Sequence, residues 1–295
     1  MHLLGFRECT RIKLFINIQG EIVHRRIKLY LLFMIVPVVA ILGAFFLLPI
    51  VQLAVTSAAG PSGLNIYLMP LTSPRHFATL LNTFILSIVV TLATLIISGF
   101  SGVFLTRNNF RAKSFIVSML TFPLAFPGVV IGFMIILLVG RQGLIGEITK
   151  SLTGEKIVLA YSMIGLFLGY LYFSIPRVII TIMASAEKID PSLEESARSL
   201  GASPLRVIKD VLIPALVPGL ISSGAICFAT SMGAFGTAFT LATDIDVLPI
   251  VIYTEFTLLA NIATAAALSI VLGLITWIAL SVVRTAAGTT VAAAG

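Results

Sequence analysis

The chain has 295 residues, of which 58% are hydrophobic and only 11% carry a full charge, with a net charge of +7 and a mean hydropathy of +1.11. A soluble domain is ~25% charged, so a water-exposed globular surface is excluded. Six windows, 29–74, 76–106, 114–140, 157–176, 211–243 and 256–283, contain no Asp, Glu, Lys or Arg, and each reaches the ~20 residues a helix needs to cross the hydrocarbon.

In chain order, residues 1–28, expected on the cytoplasmic side, carry six basic residues among broken apolar positions, a pattern that suits either a short interfacial amphipathic helix or a frayed tail. This segment is too long and too charged for a secretory n-region. Spans are expected at 29–54, 78–105, 114–139, 157–183, 213–243 and 262–284, within a membrane domain covering 29–284, followed by a tail at 285–295. Prolines interrupt several of them: Pro37 and Pro49 in the first, Pro123 and Pro127 in the third, Pro214 and Pro218 in the fifth. In the fifth, Ala225, Ala229 and Gly233 recur every four positions among hydroxyl side chains, spacing that lets helices approach closely.

Alternate segments hold six, three, five and one Lys or Arg, against one, three and none on the other side. By the positive-inside rule both termini are cytoplasmic. The basicity is therefore topology, and no nucleic-acid partner is called for. Cys9 and Cys227 fall in places that forbid a bridge. His2, His24 and His76 are dispersed, so no metal site is expected, and no residue is assigned a catalytic role.

The longest charged interruption, 184–212, contains two helix starts. Asp190-Pro191 offers a capping side chain with proline in the first turn, and Ser192 with Glu195 an alternative capping box. Gly201 is suited to end that helix in a left-handed conformation, and Ser203-Pro204 starts a second. Pro214 marks its end or its junction with the next span. Leu193, Ala197 and Leu200 fall on one face of the first helix, and Leu205, Ile208 and Leu212 on one face of the second. Glu194, Glu195, Arg198, Arg206, Lys209 and Asp210 are expected outward. Two capped helices exceed what a solvated loop requires and fit docking to a cytoplasmic partner.

Glu195-Ser196-Ala197-x-x-x-Gly201, nine residues and then Val211-Leu212-Ile213-Pro214 resemble the "EAA" signature of permease subunits of binding-protein-dependent ABC importers. Ser196 stands where that family has alanine, a small-for-small change. Asn82-Thr83, opening the second span, is also similar to the family. The resemblance implies an all-α polytopic protein of six transmembrane helices with the type I importer permease fold, in the bacterial inner membrane. It also implies that Glu194, Glu195, Ser196, Ala197, Arg198, Leu200, Gly201, Ala202 and Pro204 form the surface that docks on an ATPase. The expected partners are two ATPase subunits, a second permease, homologous or identical, and an extracytoplasmic solute-binding protein. This chain has no G-x-x-x-x-G-K-[ST] phosphate loop; ATP and Mg are expected on the ATPase, with no cofactor on this chain.

For the solute, Asn82, Ser231, Phe235 and Tyr253 are candidate liners of the path. Asp244, Asp246 and Glu255, with no Lys or Arg among them, form a candidate acidic outer mouth that would favour a cation. The stretches 232–240 and 248–253 resemble the branch handling polyamines and ferric iron. Putrescine or spermidine is the expectation, with ferric iron, a phosphonate or another small solute as the alternative. An ATP-independent secondary transporter or channel is the rival class, but it would place an acid or base within a span, and none of the six windows contains Asp, Glu, Lys or Arg.

Overall fold

A computed structural model of the chain describes residues 33–60, 63–241 and 245–286. The expected N-terminal interfacial helix (1–28), Cys9, His2, His24, Asp244 and the tail beyond residue 286 lie outside them. The described residues are helical, with no strand. They fall into two compact units, one running through Thr56 and the other starting at Ser57. The described part of the first is residues 33–56 of one apolar helix, α1 (Phe33–Ala58), with a widened π turn at Gly43–Leu47.

The second unit is built around α2 (Pro74–Arg107). Proline occupies its first turn, where a missing N–H costs nothing, and Arg107 its last, complementing the helix dipole. At ~1.5 Å per residue its 34 residues make it longer than the hydrocarbon is thick. Thr79, Thr83, Ser87 and Thr91 each donate to the carbonyl four residues back at 2.7–2.9 Å. All four are buried. In lipid, association gains little from apolar burial, so close packing and internally satisfied hydroxyls carry more of the stability.

The third expected span, 114–139, is not one helix. It splits into α3 (Lys113–Thr121) and α4 (Gly128–Val139), joined by a 3-10 turn at Phe122–Ala125. Phe126 is extended at ψ 134° ahead of Pro127, because proline disfavours the helical conformation in the residue before it. The third stretch long and apolar enough to cross a membrane is Gly128–Thr153. It is itself interrupted around Gly140 and Gly143 before α5 (Leu144–Thr153). The Lys156–Glu147 ion pair fastens α5 to the chain that follows.

Next come α6 (Met163–Glu187) and α7 (Pro191–Ser199), then α8 (Pro204–Met232). The second helix of the charged segment and the fifth span are thus one helix; Pro214 does not end it. The proline ring blocks the carbonyl four residues back, and Ile208–Leu212 widens into a π turn that accommodates the lost bond. The expected fifth span of 213–243 also stops early, at Met232, and a turn leads into α9 (Gly236–Leu241). The final elements are α10 (Leu248–Leu258), whose last turn is π, and α11 (Ile262–Ala286), which matches the sixth expected span.

Helices α2, α6 and α8 pack on one another around Val90, Leu166, Tyr170, Ile182 and Cys227. A Cβ on Gly102 would lie 2.9 Å from Ile182 Cγ2, so glycine is what permits the close approach of α2 to α6. Tyr170 donates its hydroxyl to the Ala234 carbonyl at 2.7 Å, satisfying a backbone group freed where α8 ends. Near the Pro74 end, Thr83 accepts from Leu248 N at 2.8 Å. There Leu248 and Val251 are buried against Leu80 and Leu268.

Candidate functional site

The 184–212 segment caps the Arg107 end of the bundle. Its base is fixed by Ile189, buried with Ala186, Leu212 and Leu216. Asp190 Oδ1 accepts from Ser192 N at 2.9 Å, so the proline-led cap read from the sequence forms. That hydrogen bond holds the Asp190 carboxyl below its usual range.

At the other end of α7, Gly201 has φ +83°. Gly201 N donates to Arg198 O at 2.9 Å and Ala202 N to Ala197 O at 3.1 Å, the double bond pattern of a Schellman end. A Cβ at Gly201 would meet nothing within 4 Å. The demand for glycine is therefore conformational, not steric within this chain.

Glu195, Arg198, Arg206, Lys209 and Asp210 face outward and Leu212 is buried, in line with the sequence expectation, but Glu194 turns inward and Leu193, Leu200, Leu205 and Ile208 turn outward against it. Leu193 is 53% exposed, Leu200 89% and Leu205 79%, whereas Glu194 is 9% exposed. Ala197 and Ala202 are half-buried, and Glu195, Ser196, Arg198 and Pro204 are exposed. The physical reason is a charge partner on α2. Arg107 Nε lies 2.7 Å from Glu194 Oε1, off the N–H axis, so attraction between charges more than a linear hydrogen bond holds the pair. Arg107 also donates from its Nη2 to the Ile189 carbonyl at 3.1 Å, while Arg198 stands 4.0 Å from Glu194. The acid turned inward leaves the leucines outward. A groove of about 590 Å³ between α2 and α8 is lined by Arg107 and Glu194 together with Phe100, Val103, Val207 and Leu216.

The candidate path residues do not form one site. Phe235 and Tyr253 meet at 5.4 Å between ring centroids. Phe239, which the sequence reading missed, completes the cluster at 5.2 Å from Phe235 and 5.3 Å from Tyr253. Its signal was its position one helical turn after Phe235. Asn82 instead lines a separate groove of about 260 Å³ with Val89, Met163 and Phe167. Ser231 is fully buried. Of the three acids, Asp246 is exposed, but Glu255 is 7% exposed and faces His76 Nε2 at 3.9 Å. Glu255 is a packed group on α10 and not part of an open acidic mouth.

Arg107 also went unsingled in the sequence. A basic residue in the last turn of a span reads as orientation charge, and nothing local announces an acid 87 residues on.

Residues 95–288 match the family of binding-protein-dependent transport system inner membrane components. The chain is 35% identical over 177 residues to the molybdenum transport system permease protein ModB of Escherichia coli (strain K12), covering 60% of this chain and 76% of that protein. It is 29% identical over 247 residues to a putative 2-aminoethylphosphonate transport system permease protein, PhnU, of Salmonella typhi, covering 82% and 86%. Among solved structures, a bacterial ABC transporter involved in import of the acidic polysaccharide alginate superposes with a TM-score of 0.78 at 15% identity, over 90% of this chain and 97% of that one. With six helical stretches among the described residues long and apolar enough to cross a membrane, the fold is that of a type I permease. This chain belongs to the binding-protein-dependent transport system inner membrane component family: it is a multi-pass membrane permease subunit of an ABC importer.

Proposed function

We propose that this permease couples to ATP through the 184–212 loop, which docks on a cytoplasmic ATPase subunit and transmits nucleotide-driven closure to the spans. The observation that carries the reading is the set of leucines that the 184–212 loop leaves exposed. Leu193, Leu200 and Leu205 are exposed at a loop rich in charged residues, and a fully buried leucine is worth ~1.5–3 kcal/mol over an exposed one. A partner groove that covers them recovers that free energy, with Glu195, Ser196 and Gly201 at the contact. In this reading both termini are cytoplasmic, two permeases share two ATPases, and rigid-body motion of the docked loops rocks the spans. An extracytoplasmic binding protein delivers the solute; a structure similar in fold is of an alginate ABC transporter in complex with alginate pentasaccharide-bound periplasmic protein.

The solute we propose is a small oxyanion rather than the polyamine expected from the sequence. The names of similar proteins carry molybdenum, 2-aminoethylphosphonate and sulfate. The acidic mouth that favoured a cation loses Glu255 to its buried contact with His76. The aromatic cluster of Phe235, Phe239 and Tyr253 is the proposed path constriction.

Copurification of a soluble subunit carrying a phosphate loop is expected with the intact chain and is lost when 191–206 is replaced by a neutral linker. Retention with the linker would refute the docking. Binding by the cognate extracytoplasmic protein across molybdate, sulfate, phosphonates, polyamines, ferric iron and sugars tests the solute; preference for a polyamine or ferric iron would overturn the oxyanion.

A further inference from the structure

The Arg107 guanidinium holds two parts of the charged segment at once. One nitrogen grips the Ile189 carbonyl at the loop's entrance, and another stands against Glu194 on α7. Both side chains are largely withdrawn from solvent, 20% and 11% exposed, so water and salt screen this pair less than a surface pair. Arg107 sits in the last turn of α2, and α2 runs unbroken to Pro74 at the opposite end, where Thr83 receives the Leu248 amide. A displacement of α7 therefore has a short connection through one side chain into the longest helix of the bundle. Between α7 and α8 stands the Gly201 turn, and α8 then contains a π turn at Ile208–Leu212.

We propose that Arg107 is a positioning residue that couples α7 to α2. Its fork grips Ile189 and Glu194 together, so α2 moves with the docked loop. This rests on the docking reading above and adds the internal partner that transmits the motion. Glu194 thus faces inward to Arg107, while Glu195 is left for the ATPase. Lysine would keep the charge but has a single ammonium in place of the planar fork, and it cannot hold both groups in the same geometry.

The test uses the full complex of permease, ATPase subunits and binding protein in liposomes. A single reporter cysteine replaces Arg75, an exposed position in the first turn of α2 at the end away from Arg107, in a chain whose Cys9 and Cys227 are serine. Two quantities are read: copurification of the ATPase, and the change in alkylation rate of the reporter when ATP and vanadate are added. Arg107→Ala should copurify the ATPase yet lose about tenfold of the nucleotide-dependent change, the effect of breaking one partly buried ion pair. Arg107→Lys should fall between, and the charge exchange Arg107→Glu with Glu194→Arg should recover most of the response lost by either single change. A merely structural role would lower insertion without tying the reporter response to the sign of the pair. An unchanged response in Arg107→Ala, or no recovery on exchange among variants that insert normally, overturns the proposal. If Arg107→Ala fails to insert, Arg107→Lys and the exchange carry the test. Absence of copurification with the intact chain instead sinks the docking reading itself.

Discussion

Gly201 offers the sharpest perturbation, because its conformation and its surroundings separate two explanations. Its φ of +83° is a left-handed conformation that costs a non-glycine residue roughly 1–2 kcal/mol, and a Cβ there touches nothing within 4 Å. Within this chain, substitution should therefore act through the backbone. A penalty of ~1–2 kcal/mol shifts the population of the native turn ~5–30-fold, which releases the Schellman bonds to Arg198 and Ala197 and displaces Leu200. Asparagine tolerates this conformation better than alanine, and a β-branched residue tolerates it least. The expected order of ATP-dependent uptake, normalised to inserted protein, is Gly201, then Asn, then Ala, then Val. The assay is uptake into liposomes holding the full complex, alongside ATPase copurification. Asparagine failing as badly as valine would show that bulk against a partner, and not backbone strain, governs the position, and would refute this account.

Other outcomes follow from the same geometry. Leu200→Ser and Leu205→Ser should each weaken ATPase binding about tenfold or more, since each removes ~1.5–3 kcal/mol of coverable apolar surface, with insertion unchanged; affinity measured with purified ATPase decides it, and wild-type affinity in both would remove the docking face. Asp190 has a lowered carboxyl pKa because the Ser192 amide bonds to it. Its capping contribution should be fully present above the ordinary value of 3.8 and be lost as pH falls through the lower folded value. Protection of the Ser192 amide against hydrogen exchange should follow that course, and Asp190→Ala should abolish the pH dependence. Tyr170→Phe leaves the Ala234 carbonyl without its 2.7 Å donor and should cost ~1 kcal/mol of stability in detergent; an unaltered denaturation midpoint would count against that bond.

The spans were legible because hydrocarbon excludes charge at every position, which leaves a signal tens of residues long. Their interruptions were harder to read. Pro127 breaks the third expected span, whereas Pro214 is absorbed into α8 by a π turn, although both prolines look alike locally. Which one breaks its helix depends on whether packing elsewhere favours continuing it. Of the expected path residues, Phe235 and Tyr253 come together through α9 and α10, while Asn82 and Ser231 lie apart. Spacing on one helix could not foretell that.

What the sequence determined by itself is local and chemical: charge-free lengths sufficient to cross a membrane, the Asp190 cap, and a glycine where α7 must turn left-handed. What only the tertiary structure decided is which face of α7 looks inward. Periodicity assigns apolar residues to the interior, but here the interior offers Arg107, whose other contact, Ile189, is 82 residues away in the chain. A charge withdrawn from water costs more than an exposed leucine unless it is paired, so Glu194 turns in to its partner, and Leu193, Leu200 and Leu205 are left facing out.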